Sequence, residues 1–182
     1  MKNLNVILVL IGILALCSCS NDDDSISVPS EVATAFQQKY PNAHTIEWEL
    51  KSNNIYEVEF ISPDTYESGD SNLDSYFKAD GTWIYTSEEI SYQNLPTTVQ
   101  DAYSNSNYTP SNGWILDTTD IYYITLDNTI TSYNGHNGPL YGLEVDHSTQ
   151  DDRELRYDET GTLVSDNPDS VNDFDIIVSN LK

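Results

Sequence analysis

The chain has 182 residues, with 30 acidic side chains against seven basic ones and a net charge of −23 at neutral pH. Proteins bind phosphate backbones by neutralising them with Lys and Arg, so a chain this acidic excludes nucleic acid as a partner. Its 38% hydrophobic and 11% aromatic content still supplies a packed core, unlike acidic disordered chains, which are poor in aromatics.

Met1–Asn5 carries one positive side chain, Lys2, and residues 6–16 are apolar apart from Gly12. A charged start followed by an apolar run of about 7–15 residues is an export signal, too short for a bilayer span of about 20. In Leu16-Cys17-Ser18-Cys19 a small residue precedes a cysteine and a branched apolar residue lies three before it, as in a bacterial lipobox. Cys19 is therefore the expected lipidation site, after removal of residues 1–18. Cys17 is the rival, disfavoured by the bulk of Leu16 before it. Cleavage before Cys19 leaves one cysteine and no internal disulfide. Residues 19–27 form an acidic tether whose Ser20-Asn21-Asp22-Asp23-Asp24 resembles the surface-export signal of some Gram-negative lipoproteins. The expected location is the outer membrane, facing the periplasm or, in preference, the cell surface, with the N-terminal lipid in the membrane.

Beyond the tether the sequence repeats. Val28-Pro29-Ser30-Glu31-Val32 returns as Leu95-Pro96-Thr97-Thr98-Val99, and Phe36 returns as Tyr103, at an offset of 67. Trp48, Tyr56, Val58 and Phe60 match Trp114, Tyr122, Ile124 and Leu126 at 66, although Tyr141–Val145 also fits Tyr56–Phe60. Phe77–Gly81 with Trp83 matches Tyr157–Gly161 with Leu163 at 80, which implies an insertion of about 14 residues in the second copy. The organisation read from this is a first repeat over 28–93, a second over 94–165 with its insertion near 127–140, and an acidic tail over 166–182.

Each repeat opens on a short amphipathic helix with Pro29 or Pro96 in its first turn. Val32, Phe36 and Tyr40 share one face, as do Val99 and Tyr103, and Pro41 and the stretch Ser104–Asn107 end the helices. Strands follow, because Ile46-Glu47-Trp48-Glu49-Leu50 and Tyr56-Glu57-Val58-Glu59-Phe60 alternate with period two. Asp80-Gly81 marks a hairpin and Glu159-Thr160-Gly161 a looser one. Asp64–Asp74 and Asn128–Pro139 read as long surface loops, and Phe174, Ile176, Ile177, Val178 and Leu181 as a final docked strand or helix. The fold class is α+β, two tandem units, each a short helix packed on a three- to four-stranded antiparallel sheet.

Hydrophobic-Pro, a helix, Tyr40-Pro41-Asn42-Ala43, the Tyr56–Phe60 strand and Asp80-Gly81-Thr82-Trp83 together resemble the β-lactamase-inhibitor-like, PepSY-like family, over roughly residues 28–165. The second copy departs from the pattern, with Asn107-Tyr108-Thr109-Pro110 for the turn and no aromatic after Gly161-Thr162. The resemblance implies a periplasmic or surface protein of tandem α+β units, inhibitor-like in structure and without established catalysis.

Catalytic chemistry finds little footing. Acylation would consume Cys19, no Gly-x-Ser-x-Gly elbow occurs, and the three histidines, His44, His136 and His147, read as turn or surface residues. Glu47, Glu49, Glu57 and Glu59 alternate onto the polar side of strands, where a solvated face explains them better than paired catalytic carboxylates. Zinc ligands are not clustered, and Asp64, Glu67, Asp70 and Asp74 lack the spacing of a calcium loop, so no metal and no cofactor is expected. Trp48, Trp83 and Trp114 read as core. Tyr66, Tyr92, Tyr108 and Tyr133 are the candidate binding surface, since exposed aromatics give contact area at low entropic cost. The leading expectation is a lipid-anchored, non-enzymatic binding protein that meets a protein or peptide with sheet face and loops. A glycan-binding or sensory lipoprotein and a small acid-dependent hydrolase are the alternatives.

Overall fold

The computed structural model describes residues 26–182; the signal segment, Cys17, Cys19 and the run Ser20–Asp24 lie outside the described residues. Val32 and Phe36, one helical turn apart, are both buried on helix α1 (Ser30–Lys39). Pro29 is its N-cap, one position earlier than the first turn, while Glu31 and Lys39 sit at the ends that the helix dipole favours. Helix α2 (Thr97–Ser104) likewise follows Pro96 and buries Val99 and Tyr103.

Four strands follow α1: β1 (His44–Lys51), β2 (Ile55–Asp64), β3 (Ser68–Lys78) and β4 (Trp83–Glu89). Four follow α2: β5 (Trp114–Leu126), β6 (Leu140–His147), β7 (Arg153–Tyr157) and β8 (Leu163–Pro168), before the last helix, α3 (Asp173–Ser179). The strands do not form two small sheets. They make one eight-stranded antiparallel sheet in sequence order. The halves join where β4 and β5 pair from Tyr85 opposite Leu126 to Glu89 opposite Tyr122. Joining removes two edges whose backbone N–H and C=O groups would otherwise stand unpaired.

Two expected loops change character. Asp64–Asp74 is mostly strand, with β2 and β3 paired from Ile55 opposite Lys78 to Asp64 opposite Ser68. Its polar side chains suggest a loop, but the backbone ladder forms whatever the side chains are. Asn128–Pro139 does lack regular structure apart from a bridge between Tyr133 and His136, yet Thr131 and Tyr133 within it are fully buried. The second strand after α2 is β6, so Tyr141–Val145 holds the place that Tyr56–Phe60 holds after α1. Tyr122–Leu126 instead continues β5 past an irregularity between Leu116 and Ile121. Period-two alternation looks alike in every strand and could not separate the two matches.

Both α1 and α2 lie on the same side of the sheet. Under α1, Phe36 meets Phe60 and Trp48 edge-on, with centroids 5.0 and 5.3 Å away, over Val58, Leu73 and Phe77. Under α2, Val99 and Tyr103 pack on Trp114, Ile121, Leu143, Val145 and Leu155. Helix α3 takes the opposite side, where Phe174 and Ile177 pack on Tyr76, Tyr85, Ile124, Leu126, Tyr133 and Leu140. Its N-cap Asn172 accepts from Phe174 N at 2.8 Å, and Thr131 Oγ1 donates to Ile177 O at 2.7 Å. The apolar tail residues thus dock as a helix. Among the described residues no helix is long and apolar enough to cross a membrane.

Two glycine turns pin the helices to the sheet. Gly81 (φ +84°) closes β3–β4, and a Cβ there would lie 2.7 Å from Glu31 O in α1. Gly161 (φ +81°) closes β7–β8 against Thr98 O and Ala102 of α2. The second turn is no looser than the first, since Asp158 N donates to Thr162 O at 3.0 Å just as Lys78 N donates to Thr82 O at 2.8 Å. Gly161→Ala combines left-handed strain with a backbone clash and is expected to cost about 2–3 kcal/mol, read as a lower denaturation midpoint at unchanged m-value. An unchanged midpoint would show that α2 moves aside freely.

Candidate binding face

Alternation fixes what the side opposite α1 and α2 carries. One cross-strand row runs Glu47, Glu59, Asp74, Ser87, Ile124 and Leu140 from β1 to β6. The next runs Glu49, Glu57, Tyr76, Tyr85 and Leu126. Three carboxylates therefore lie directly opposite one another in the first row, an arrangement that costs stability through like-charge repulsion. Further along, Glu144 faces Glu154 across β6 and β7. Helix α3 covers only part of this face.

Among the described residues two cations pair with these acids; Lys78, opposite Ile55 at the end of β3, shares the face without an ion pair. Lys51 Nζ lies 2.7 Å from Glu49 Oε2 and 2.7 Å from Glu57 Oε2. Glu57 is only 5% exposed and also accepts a hydrogen bond from Tyr76 OH, so it is not the solvated residue that alternation suggested. Arg156, 3% exposed, lies flat over Gly142, where a Cβ would come 2.8 Å from Nη1. Its Nε and Nη2 donate to Asp173 Oδ2 at 2.9 and 2.7 Å, and Nη2 donates to Glu154 Oε2 at 2.5 Å. Asp173 in turn accepts from Tyr133 OH at 2.8 Å. This network ties α3 and the 127–139 connection to the sheet.

Beside α3 the face sinks into a cavity of about 300 Å³ lined by Asp74, Tyr76, Tyr85, Tyr122, Glu154 and Arg156, among others. Tyr76 and Tyr85 stack with centroids 4.1 Å apart and planes at 10°, and Tyr122 OH donates to Asp120 Oδ1 at 2.9 Å. Burial, reinforced by Glu57, Glu59 and Glu89, pushes the Asp74 carboxyl up to about 7. Burial, then Asp173 and Asp169 against the opposing pull of Arg156, raises Glu154 to about 7. Glu144 is raised to about 7 by burial and by Asp169, Asp120 and Glu154. Burial, with Asp120 and other acids, also raises the Tyr122 phenol.

The candidate tyrosines do not form one surface. Tyr133 is fully buried beneath α3, which corrects its expected exposure; the apolar tail that covers it lies 40 residues further on. Tyr66 is exposed on the helix side, its ring 4.3 Å from Tyr123, and its N–H donates to the buried Glu88 at 2.9 and 2.8 Å. Tyr92 packs against Tyr103 beside α2, and Tyr108 lies edge-on to Trp114 with its hydroxyl on Asp166. Asp64, Glu67, Asp70 and Asp74 are not gathered either. Asp64 accepts from Asn42, Glu67 turns to Ser91, and Asp74 looks across the open face. Glu144, Glu154 and Asp169 do bring carboxylate oxygens within 4.8 Å of one another. The sequence offered Asp74 only as part of a loop of acids and did not single out Tyr122, Glu154 or Arg156 as site residues, although the chain's two arginines both falling in Arg153–Tyr157 was a signal.

A single antiparallel sheet with two helices on one side and a short helix on the other defines the class, and it is shared with solved structures. A BLIP-like protein from Bacteroides fragilis matches with TM-score 0.64 and 22% identity over 81% of this chain and 91% of that one. A structure described as "putative periplasmic proteins" from Bacteroides eggerthii matches at 0.62 and 16%, covering 78% and 89%. A DUF2874 family protein from Bacteroides uniformis matches at 0.61 and 15%, covering 77% and 88%. The model of the family described as "Putative beta-lactamase-inhibitor-like, PepSY-like" matches residues 21–67 and 65–165, and the chain belongs to that family. No curated protein matches the chain.

Proposed function

We infer that this protein is a non-catalytic, inhibitor-like binding protein of the cell envelope, anchored through a lipid on Cys19, which presents its open sheet face to a basic protein partner. The observation that carries this reading is the uncovered face itself. Its carboxylates stand on consecutive strands, and of the cations on its rows Lys51 and Arg156 are already paired with acids, leaving Lys78 at the end of β3 far outnumbered. Such a field favours a positively charged partner and speeds encounter at low ionic strength. The family description and the BLIP-like neighbour support an inhibitor-like role, and the neighbour described as periplasmic supports an envelope location. The tandem origin of the two halves is part of this reading, supported by Gly81 and Gly161 pressing on corresponding turns of α1 and α2.

Capture from envelope extract tests the face. The full chain in non-ionic detergent should retain a basic protein at low salt and release it at high salt, and Glu47→Gln with Glu59→Gln should abolish retention. Equal retention by the variant would overturn the reading. The anchor is tested separately: Cys19 should take up labelled acyl chain in a globomycin-sensitive way. Cys19→Ala should remove the label, whereas label retained on Cys17 would move the site.

A further inference from the structure

The cavity beside α3 is more specific than the face around it. Its two ends, at β3 and β7, are four strand spacings apart, or about 19 Å along the sheet. Asp74 stands at one end and Glu154 at the other, with Tyr76, Tyr85 and Tyr122 between them. The ends differ in how they are satisfied. Glu154 is held by Arg156 at 2.5 Å, whereas no donor among the described residues hydrogen-bonds to the carboxylate of Asp74, a residue only partly exposed on β3. A carboxylate partly withdrawn from water without a protein donor is less well satisfied than Glu154, and the sheet adds Glu59 directly opposite it. Arg156 already shows that a guanidinium can lie against this floor between carboxylates.

Resting on the reading above, we propose that the Asp74 end of this cavity takes one arginine or lysine side chain of the partner protein. Its cationic head supplies the donors that the Asp74 carboxylate lacks, and its stem lies along Tyr122 and Ser87. The occupant is a protein side chain rather than a free small cation because the cavity opens on the broad acidic face, which adds the contact area that one cationic group lacks. The head contributes charge-assisted hydrogen bonds and the phenol rings a cation–π contact.

The test uses the full chain in non-ionic detergent, with amide chemical shifts followed during titration by acetyl-Gly-Arg-Gly-amide at low ionic strength. Saturable shifts should centre on Asp74, Ser87 and Tyr122, and the same peptide with citrulline for arginine should cause none. Asp74→Asn keeps the shape and removes repulsion, so it should fold at least as stably while weakening the peptide about 10-fold or more; Glu159→Gln, exposed in the β7–β8 turn against α2 on the other side of the sheet, should leave the peptide affinity unchanged. Binding that survives Asp74→Asn but is lost in Glu47→Gln would overturn the cavity while leaving the face intact. Absence of binding by both this peptide and a basic protein would overturn both. Citrulline binding equal to arginine, or spermidine binding with none by the peptide, would also overturn the proposal.

Discussion

Arg156→Ala is expected to destabilise the fold by about 3–5 kcal/mol, a fall of roughly 6–20 °C in thermal midpoint. The size follows from what the substitution leaves behind. Asp173 and Glu154 both lose the only cation that pairs with them among the described residues, and both are mostly covered, so two negative charges remain side by side with little access to water. Removing one partner of a buried ion pair is far more damaging than never having built the pair. The loss should be local at first. Asp173 opens α3, so protease cleavage is expected within 169–182 before the strands under α1 and α2 become accessible. Arg156→Lys should recover only part of the loss, because one ammonium cannot reproduce the planar fork that reaches Asp173 through Nε and Nη2 and Glu154 through Nη2. A midpoint for Arg156→Ala within 2 °C of the native protein, on the scale of roughly 2–4 °C per kcal/mol, would show that α3 is held by its apolar contacts alone.

Stability should fall, not rise, as pH increases from about 5 to 8. Asp74, Glu144 and Glu154 carry carboxyls raised to about 7 from ordinary values of 3.8, 4.5 and 4.5. A carboxyl raised in the folded state holds a proton there that the unfolded chain gives up. The stability this provides is complete below the unfolded value and lost as pH passes through 7. Counting only the more buried Asp74 and Glu154, and allowing for solvent screening, the change is on the order of 3 kcal/mol, or roughly 6–12 °C in midpoint. Below about pH 4 the trend reverses, because Asp80, Asp117 and Asp158 are held below their usual range and lose that advantage when protonated. For Asp80 and Asp117 the cause is hydrogen bonding to Thr82 and Thr119; for Asp158, hydrogen bonds from Thr160 and Thr162 outweigh burial. Asp74→Asn should raise the midpoint at pH 8 and flatten the profile. A midpoint that climbs steadily from pH 5 to 8 would show that these carboxyls are ionised without penalty.

Both experiments concern groups whose setting was unreadable from the chain alone, and the contrast with what was readable has a physical cause. Local spacing determined the helices, since Val32 with Phe36 and Val99 with Tyr103 share a helix face at i, i+4, whereas a strand would put polar Thr34 and Asp101 on that same face. It also determined the clearest strands, the Gly81 and Gly161 hairpins, the acidic character of one sheet face, and the family resemblance that the matched residues bear out. The tertiary structure alone decided that β4 pairs with β5 to make one sheet, because backbone pairing between halves leaves no mark on side-chain pattern. It likewise put Tyr133 in the core rather than on the surface. A tyrosine in a polar, glycine-containing stretch reads as exposed until α3, folding back from residues 173–179, covers it and offers Asp173 to its hydroxyl. Asp74, Glu154 and Arg156 come together for the same reason. Alternation tells which side of its own strand a residue faces, but which strands stand beside it, and so whether a charge is paired, repelled or left without a donor, is set only when the sheet closes up.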